Sequence, residues 1–119
     1  MIQIKRVYED YDESDGHRIF IDRLWPRGIR KTDVRIGEWM KEIAPSTELR
    51  KWFSHEAPKW PEFKRRYDEE LQNEKDLIHK IVEMQKNKTV TLVYASKDEA
   101  HDNAVALKEY IEEIAKKSD

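Results

Sequence analysis

The chain has 119 residues, of which 40% are charged and 38% are apolar, and its formal net charge is −2. This length suffices for one hydrophobic core, so we expect a single α/β domain over residues 1–119. The absence of cysteine excludes disulfides, thiolate catalysis and metal sites with Cys ligands. Residues 1–10 carry no signal-peptide pattern and no apolar run is long enough to span a membrane, so we expect a cytoplasmic protein without a membrane partner.

Three segments of the chain are predicted to form strands. Residues 2–8 alternate between apolar and polar side chains, residues 18–22 contain three consecutive apolar side chains, and residues 90–95 form the clearest buried segment. The connection over residues 9–17 is polar and short for a crossover, so the first two strands could instead pair as an antiparallel hairpin. The long helical connection before the third strand favours a parallel partner for it.

Helical periodicity returns after the second strand. Thr32 or Asp33 can cap a first helix, which Ala44 and Pro45 end. The apolar face of this predicted helix comprises Ile36, Trp39, Met40 and Ile43.

Two further helices are predicted before the third strand. Ser46 caps a short helix over residues 47–53, in which apolar side chains recur at helical spacing. Residues 58–85 are predicted to form a longer helix that begins with two prolines and is broken or bent at Asn73.

A terminal helix is predicted from Glu99 onward, with Asp98 as its N-cap. Strands separated by helices indicate an α/β fold. We therefore predict a small, mostly parallel three-stranded sheet flanked by helices, in a Rossmann-like three-layer arrangement.

The ends of the predicted strands carry the clearest functional signal. In open α/β sheets, ligands bind at the carboxyl ends of parallel strands. The segment DRLWPRG, residues 22–28, follows the second strand, and SKD, residues 96–98, follows the third and precedes a helix whose free N–H groups favour anions. If all three strands run parallel, four cationic side chains converge on this helix end: Arg6, Arg23, Arg27 and Lys97. This predicts an anion site, with structural ion pairs of Arg6 and Arg23 as the alternative.

Asp22 and Trp25 in this segment each have two interpretations. Asp22 ends a buried strand and therefore requires a partner, for which arginine is the natural choice. Asp22 could act as a general base, bind a metal or anchor Arg23 or Arg27, and we favour the anchoring role. Trp25 is interpreted mainly as a packing residue under the loop, with contact to a ligand as the alternative.

Histidine chemistry is expected near the start of the terminal helix. His101 lies one helical turn beyond Lys97, and we assign it, together with Asp22, as a candidate catalytic residue because histidine titrates near neutral pH. A solvent-facing or hydrogen-bonded histidine is the structural alternative. The further candidates for lining a pocket are Arg50, His55 and Asn103.

Motifs for metals and cofactors are absent from the sequence. The four histidines form no HxxxH or HxH pair, and the one group that could cluster is Asp98, His101 and Asp102, so we predict no metal site. The GxSxG, Walker and GxGxxG motifs are absent as well, and we predict no cofactor.

Three strings closely resemble the YeaO-like branch of the domain of unknown function 488 family: DGHRIFIDRLWPRGIRK, WMKEIAPSTELRKWFSH and VTLVYASKDEAHDNAVALKEYI. The resemblance covers residues 2–114. It implies a compact α/β domain and carries no established activity.

Longer relatives in this family carry the pattern D-V-R-x-x-P-x-S after the second strand and a cysteine–histidine pair after the third. The residues similar to the first pattern are Asp22, Arg23, Pro26 and Arg27. At the second position this chain has Lys97, Asp98 and His101 and no cysteine. The resemblance thus implies a shared location for the site without a shared thiol chemistry.

Three functional hypotheses follow from the sequence. The leading one is a site for a small phosphate-bearing or nucleotide-like anion, with a hydrolase or transferase as its enzymatic form. The alternative is a nucleic-acid or protein interaction module that uses the basic loop over residues 27–31, which the acidic overall balance opposes. The third is a purely structural ion-pair lock. The sequence does not determine the oligomeric state.

Overall fold

The fold is built on a four-stranded parallel sheet. A computed structural model describes residues 1–117 of the chain. The strands are β1 (Ile2–Arg6), β2 (His17–Phe20), β3 (Glu38–Trp39) and β4 (Val90–Tyr94). Their order across the sheet is β1-β4-β2-β3, and each neighbouring pair runs parallel. The predicted α/β fold with a parallel sheet is confirmed, and the sheet has four strands where three were predicted.

Four α-helices accompany the sheet: α1 (Thr47–Phe53), α2 (Trp60–Leu71), α3 (Lys75–Asn87) and α4 (Asn103–Lys117). Short 3₁₀ turns occupy Glu13–Asp15, Lys41–Ile43, Ala57–Lys59 and Gln72–Glu74. The last of these turns contains Asn73 and separates α2 from α3, so the long helix predicted over residues 58–85 is divided where the sequence indicated a break or bend.

Helix α1 has the predicted bounds and the predicted cap. The Ser46 hydroxyl accepts the backbone N–H of Leu49 at 3.1 Å, which satisfies one of the free amides of the first turn. Ser46 also donates its hydroxyl and its own N–H to the carboxylate of Glu70 on α2, at 2.6 and 2.8 Å. The N-terminus of α1 is thereby held against α2.

The two faces of the sheet are covered differently. On one face, strand residues such as Ile19 and Leu92 pack against the buried side chains of all four helices. The other face carries a separate cluster of Val7, Phe20, Ile29, Ile36 and Val93. Its loop members, Ile29 and Ile36, follow β2. Within residues 1–117, helices therefore pack on one face and loops cover the other, and the predicted Rossmann-like three-layer arrangement is not confirmed.

Strands β1 and β2 run in the same direction and do not form a hairpin. Ile2 on β1 and His17 on β2 both align with Val90 on β4, which lies between them. The short polar connection after β1 consequently passes over an intervening strand. Because β1, β2 and β4 are parallel, their carboxyl ends meet at one edge of the sheet.

Residues 33–43 do not form the predicted helix; they contain turns, β3 and a 3₁₀ turn. Gly37 has a φ of +67°, and a Cβ at this position would lie 2.2 Å from the carbonyl oxygen of Arg18. This close approach lets the next two residues pair with β2. Ile36 and Met40 then belong to the clusters on opposite faces of the sheet, so their helical spacing does not reflect a shared face.

The terminal helix begins at Asn103, later than the predicted start at Glu99. Asp98 accepts two backbone N–H bonds, but within a turn that precedes the helix. The N-terminal amides of α4 are capped by Asp102, whose Oδ1 accepts the N–H of Ala104 at 2.7 Å. The predicted N-cap at Asp98 is therefore wrong: the helix is capped by Asp102, four residues further along the chain.

Candidate functional site

An open cleft with a volume of about 750 Å³ lies at the carboxyl ends of β2 and β4. The loop after β2, helix α1 and the start of α4 form its walls. Eight of the predicted site residues line it: Asp22, Arg23, Trp25, Arg27, Arg50, His55, His101 and Asn103. The fold thus brings predicted side chains from three distant segments, residues 22–27, 50–55 and 101–103, to one cleft.

Asp22 connects the loop after β2 to two other elements. Its Oδ2 accepts the backbone N–H of Ala95, at the end of β4, at 2.9 Å, and its Oδ1 accepts the side-chain amide of Asn103 at 3.1 Å. Burial raises the pKa of Asp22, and these two hydrogen bonds and the charge of Arg50 offset part of the rise. Asp22 forms no ion pair with Arg23 or Arg27 within residues 1–117, so the favoured role of anchoring one of these arginines is not observed; the partners of the carboxylate are amide groups.

Arg23 is held by backbone carbonyls. Its Nη2 donates to the carbonyl oxygen of Ala44 at 3.2 Å and its Nε to that of Pro45 at 3.4 Å. These bonds close the loop after β2 onto the segment that precedes α1. Arg23 thus has the structural role that was the alternative interpretation, but its partners are carbonyl groups and not the predicted carboxylates. Its side chain also lines the cleft.

Trp25 packs under the loop and also lines the cleft. Its Nε1 donates to the carbonyl oxygen of Ile29 at 2.7 Å. The indole meets the ring of Trp39 edge to face with centroids 5.3 Å apart, and that of Phe20 at 6.5 Å. These contacts agree with the packing interpretation of this tryptophan.

Three cations of the cleft have free side chains. Arg27, Arg50 and Lys51 are exposed, and within residues 1–117 their guanidinium and ammonium groups form no hydrogen bond or ion pair. The backbone carbonyl of Arg27 accepts the hydroxyl of Tyr8 at 2.9 Å, which holds the loop while leaving the guanidinium free. Lys51 was not among the predicted site residues, although the basic and aromatic segment RKWFSH, residues 50–55, contains it.

Arg6 and Lys97 do not reach the cleft. Arg6 donates from Nε to the carbonyl oxygen of Ser96 at 2.7 Å and from Nη2 to that of Ala95 at 3.2 Å, so it fixes the chain that leaves β4. Lys97 is exposed and is not one of the lining residues. The predicted convergence of these two cations on the start of the helix therefore does not occur, and α1 supplies cations in their place.

His55 reaches the cleft through an unusual backbone turn at the end of α1. Ser54 and His55 have φ values of 48° and 55°, both in the left-handed region. Such a conformation costs a non-glycine residue roughly 1 kcal/mol. The His55 ring lies 5.7 Å from the ring of Phe53, which is buried in the main core.

His101 is hydrogen-bonded and also lines the cleft. Its Nδ1 lies 3.3 Å from Oδ2 of Asp98, and its ring meets that of Trp60 edge to face at 5.4 Å. These contacts agree with the alternative interpretation of His101 as a hydrogen-bonded histidine with a structural role. The ring is only partly buried, so its remaining surface is open to the cleft.

Asp102 is a lining residue that sequence reasoning considered only as a metal ligand. It is 2% exposed, its Oδ1 caps α4, and its Oδ2 is buried with no hydrogen-bond partner. Burial raises the pKa of Asp102 to about 7, and the charges of Asp22 and Asp98 add to the rise. The sequence does contain a signal for Asp102: it directly precedes the segment in which apolar residues recur at helical spacing, which is the usual position of an N-cap.

Residues 1–117 contain neither a group of side chains that could hold a metal ion nor a helix that could cross a membrane. Among residues 1–117, no three or more His, Asp or Glu side chains are grouped in a way that could hold a metal ion. Within that part of the chain, none of the helices combines the length and the hydropathy that a membrane crossing requires.

The fold and the cleft define a small parallel α/β protein with an open cleft of mixed apolar and cationic lining at its strand ends. The chain belongs to the DUF488 family: all of residues 1–119 match the group described as the inactive DUF488-N3 subclade. This match, together with the identity to YeaO described next, confirms the resemblance to the YeaO-like branch.

Curated relatives of this chain cover nearly its whole length. The uncharacterized protein YeaO of Escherichia coli K12 is 42% identical over 113 residues, which are 95% of this chain and 98% of YeaO. The uncharacterized protein Rv3073c of Mycobacterium tuberculosis H37Rv and the uncharacterized protein Mb3100c of Mycobacterium bovis are each 42% identical over 106 residues, 89% of either chain. No solved structure matches the chain significantly.

Proposed function

We propose that the cleft at the ends of β2 and β4 binds a small organic anion, such as a phosphate-bearing or nucleotide-like molecule. The observation that carries this proposal is the set of free cations, Arg27, Arg50 and Lys51, along one cleft. Elsewhere on the surface many cations have carboxylate partners; on α2, for example, these are Lys64, Arg65 and Arg66. Cations without partners that share a concave surface favour an anionic ligand.

The apolar part of the cleft lining supports an organic ligand over a bare inorganic anion. The apolar lining residues are Leu24, Trp25, Pro26, Ala44, Pro45, Phe53, Phe63 and Ala95. A ligand with a planar or apolar body can bury that body against these side chains while its charged group meets the cations. The volume of about 750 Å³ lies in the range of pockets for small organic molecules.

Binding without turnover is the form of the proposal that we favour. The subclade to which the chain belongs is described as inactive. The carboxylate of Asp22 is occupied by the amides of Ala95 and Asn103, which leaves it poorly placed to take a proton from a ligand. Hydrolase or transferase activity on the bound compound is the competing form, with His101 as its proton carrier.

Calorimetric titration with sulfate, an aryl sulfate and nucleoside monophosphates tests the proposal. We expect the organic anions to bind more tightly than sulfate. Arg50→Gln and Lys51→Gln should each weaken binding about tenfold, because each removes one charge-assisted contact. Lys75→Gln is the matched control, since Lys75 is an exposed cation on α3 outside the cleft, and it should leave the affinity unchanged.

Two results would contradict the proposal. One is the absence of binding for every probe, and the other is equal affinity in the wild type and the two cleft variants. Release of phosphate or sulfate from a bound ester at a rate that depends on His101 would establish the enzymatic form in place of simple binding.

A second candidate function is docking of nucleic acid on the loop over residues 27–31. Arg27, Arg30 and Lys31 are exposed, and their side chains form no ion pair within residues 1–117. Fluorescence anisotropy with a labelled oligonucleotide tests this function, and binding should weaken steeply with salt. Unchanged binding after all three cations are replaced by Gln would exclude the loop as the docking surface.

A further inference from the structure

The cleft contains a buried carboxyl group that the cations of the proposed anion site do not neutralise. Asp102 lines the cleft at the N-terminus of α4 and is 2% exposed. Its Oδ1 accepts the N–H groups of Ala104 and Val105 at 2.7 and 3.2 Å. Its Oδ2 is also buried and has no hydrogen-bond partner within residues 1–117.

The groups around Asp102 do not compensate a negative charge. The titratable side chains whose charges are coupled to Asp102 are Asp22 after β2, Tyr94 on β4 and Asp98 before α4. The other charged or titratable side chains that line the cleft are Arg23, Arg27, Arg50, Lys51, His55 and His101. Within residues 1–117, none of the cations forms an ion pair with Asp102. The two carboxylates among these groups repel a charge on Asp102, and the charge of Arg50 acts on Asp22.

An ionised Asp102 would therefore oppose the binding of an anion in the same cleft. A buried charge without a counter-ion is unfavourable, and a second negative charge nearby adds repulsion that the protein interior screens only weakly. Protonation of the carboxyl group removes both costs. The pKa of Asp102, raised to about 7 by burial, makes this protonation accessible at neutral pH.

We propose that the cleft takes up its anion together with a proton on Asp102. This inference rests on the proposed function, because it concerns the same cleft and the same ligand. Asp102 thus sets the charge of the site. By linkage, the affinity for an anion of constant charge falls as the pH rises through neutrality, and the bound anion strengthens the hold of Asp102 on its proton.

The test is calorimetric titration with an aryl sulfate at pH 6.0 and pH 8.5. A sulfate ester keeps its charge over this range, whereas a phosphate ester would itself titrate. His55 and His101 also line the cleft, so both imidazole groups are removed to leave Asp102 as the group under test. The reference protein is therefore the double variant His55→Gln, His101→Gln, in which we expect the affinity to fall about tenfold or more between the two pH values.

Asp102→Asn in the reference background should abolish this pH dependence and bind more tightly than the reference protein at pH 8.5. The variant is expected to fold, because asparagine caps a helix as well as aspartate does and can accept the same two N–H bonds. Asp98→Asn is the matched control: Asp98 is only partly buried, and its removal should leave most of the pH dependence in place. Circular dichroism verifies that each variant is folded.

Each remaining outcome decides against the inference. Equal affinity of the reference protein at both pH values would overturn it while leaving the anion site intact. Persistence of the pH dependence after Asp102→Asn would overturn it too, because another group would then carry the proton. Failure of the wild type to bind any probe at either pH would overturn both this inference and the proposed function.

Discussion

The side-chain amide of Asn103 donates to Oδ1 of Asp22 at 3.1 Å, joining the first residue of α4 to the chain that leaves β2. The same amide nitrogen lies 3.2 Å from the carbonyl oxygen of Ile21. Because Asp22 also accepts the N–H of Ala95, one carboxylate connects both strand ends to the helix. The cleft depends on this connection, since its walls come from these elements.

Asn103→Ala should therefore destabilise the protein. The substitution removes the amide donor from the carbonyl oxygen of Ile21 and from Oδ1 of Asp22, which costs about 1–3 kcal/mol in the free energy of unfolding. Urea denaturation measures this change. Asn73→Ala is the control, because Asn73 is exposed and its side chain makes no hydrogen bond to any of residues 1–117. Equal stability of the two variants would show that the Asn103 bonds contribute nothing net.

Substitutions of the two arginines in the loop after β2 should have different effects, one on stability and the other on anion binding. Arg23 donates to the carbonyls of Ala44 and Pro45, so Arg23→Gln is expected to lower the free energy of unfolding by about 1–2 kcal/mol. Arg27 has a free guanidinium, so Arg27→Gln should change stability by less than about 0.5 kcal/mol and weaken anion binding. Denaturation and calorimetry on both variants measure the two effects. The opposite pattern would refute these assignments.

Two glycines with similar backbone angles should respond differently to the same substitution. Gly37→Ala would place a Cβ 2.2 Å from the carbonyl oxygen of Arg18 and should disrupt the pairing of β3 with β2. Gly28, with a φ of +77°, has open space around it, so Gly28→Ala should cost only about 1–2 kcal/mol for the left-handed backbone. Thermal denaturation compares the variants. A Gly37→Ala protein as stable as Gly28→Ala would contradict the observed approach to β2.

The stability of the protein should fall with rising pH because of Asp102. In the unfolded chain this carboxyl has a pKa near 3.8, and burial raises the pKa to about 7 in the folded protein. The folded state therefore holds the proton more tightly, and stability is lost as the pH rises from about 4 to about 7, by up to roughly 4 kcal/mol. Asp102→Asn removes this loss. Urea denaturation of both proteins at pH 5 and pH 8 measures it, and a stability difference that is the same at both values would contradict the assignment.

Local signals predicted the elements whose ends are marked by particular residues. Helix α1 has its predicted bounds because Ser46 satisfies a free amide of the first turn, an interaction between residues three positions apart. Glu70 on α2 adds a second hydrogen bond to the Ser46 hydroxyl. The helix predicted over residues 33–43 was wrong because a distant contact determines the structure there. Its apolar spacing fits a helix, but Gly37 allows a contact with β2 that no local pattern reveals.

The candidate site likewise contains residues that the sequence predicted and residues that it did not. The loop DRLWPRG was recognisable because it combines charges with a break after an apolar run, and parallel strands bring it to Asn103 as expected. Lys51 and Asp102 line the cleft but were not among the predicted site residues. The position of Lys51 depends on how α1 packs beside the sheet, and the importance of Asp102 depends on burial, which a single sequence does not contain.

By itself, the sequence determined the α/β class, the existence of β1, β2, β4 and α1, and the loop that forms one wall of the cleft. These features follow from hydrophobic periodicity, capping and turn residues, which act over a few positions. Only the tertiary structure decided that β4 lies between β1 and β2, that helices cover one face, and which charges stay unpaired. Such properties arise from contacts between residues up to 90 positions apart, where burial and competition among partners determine the outcome.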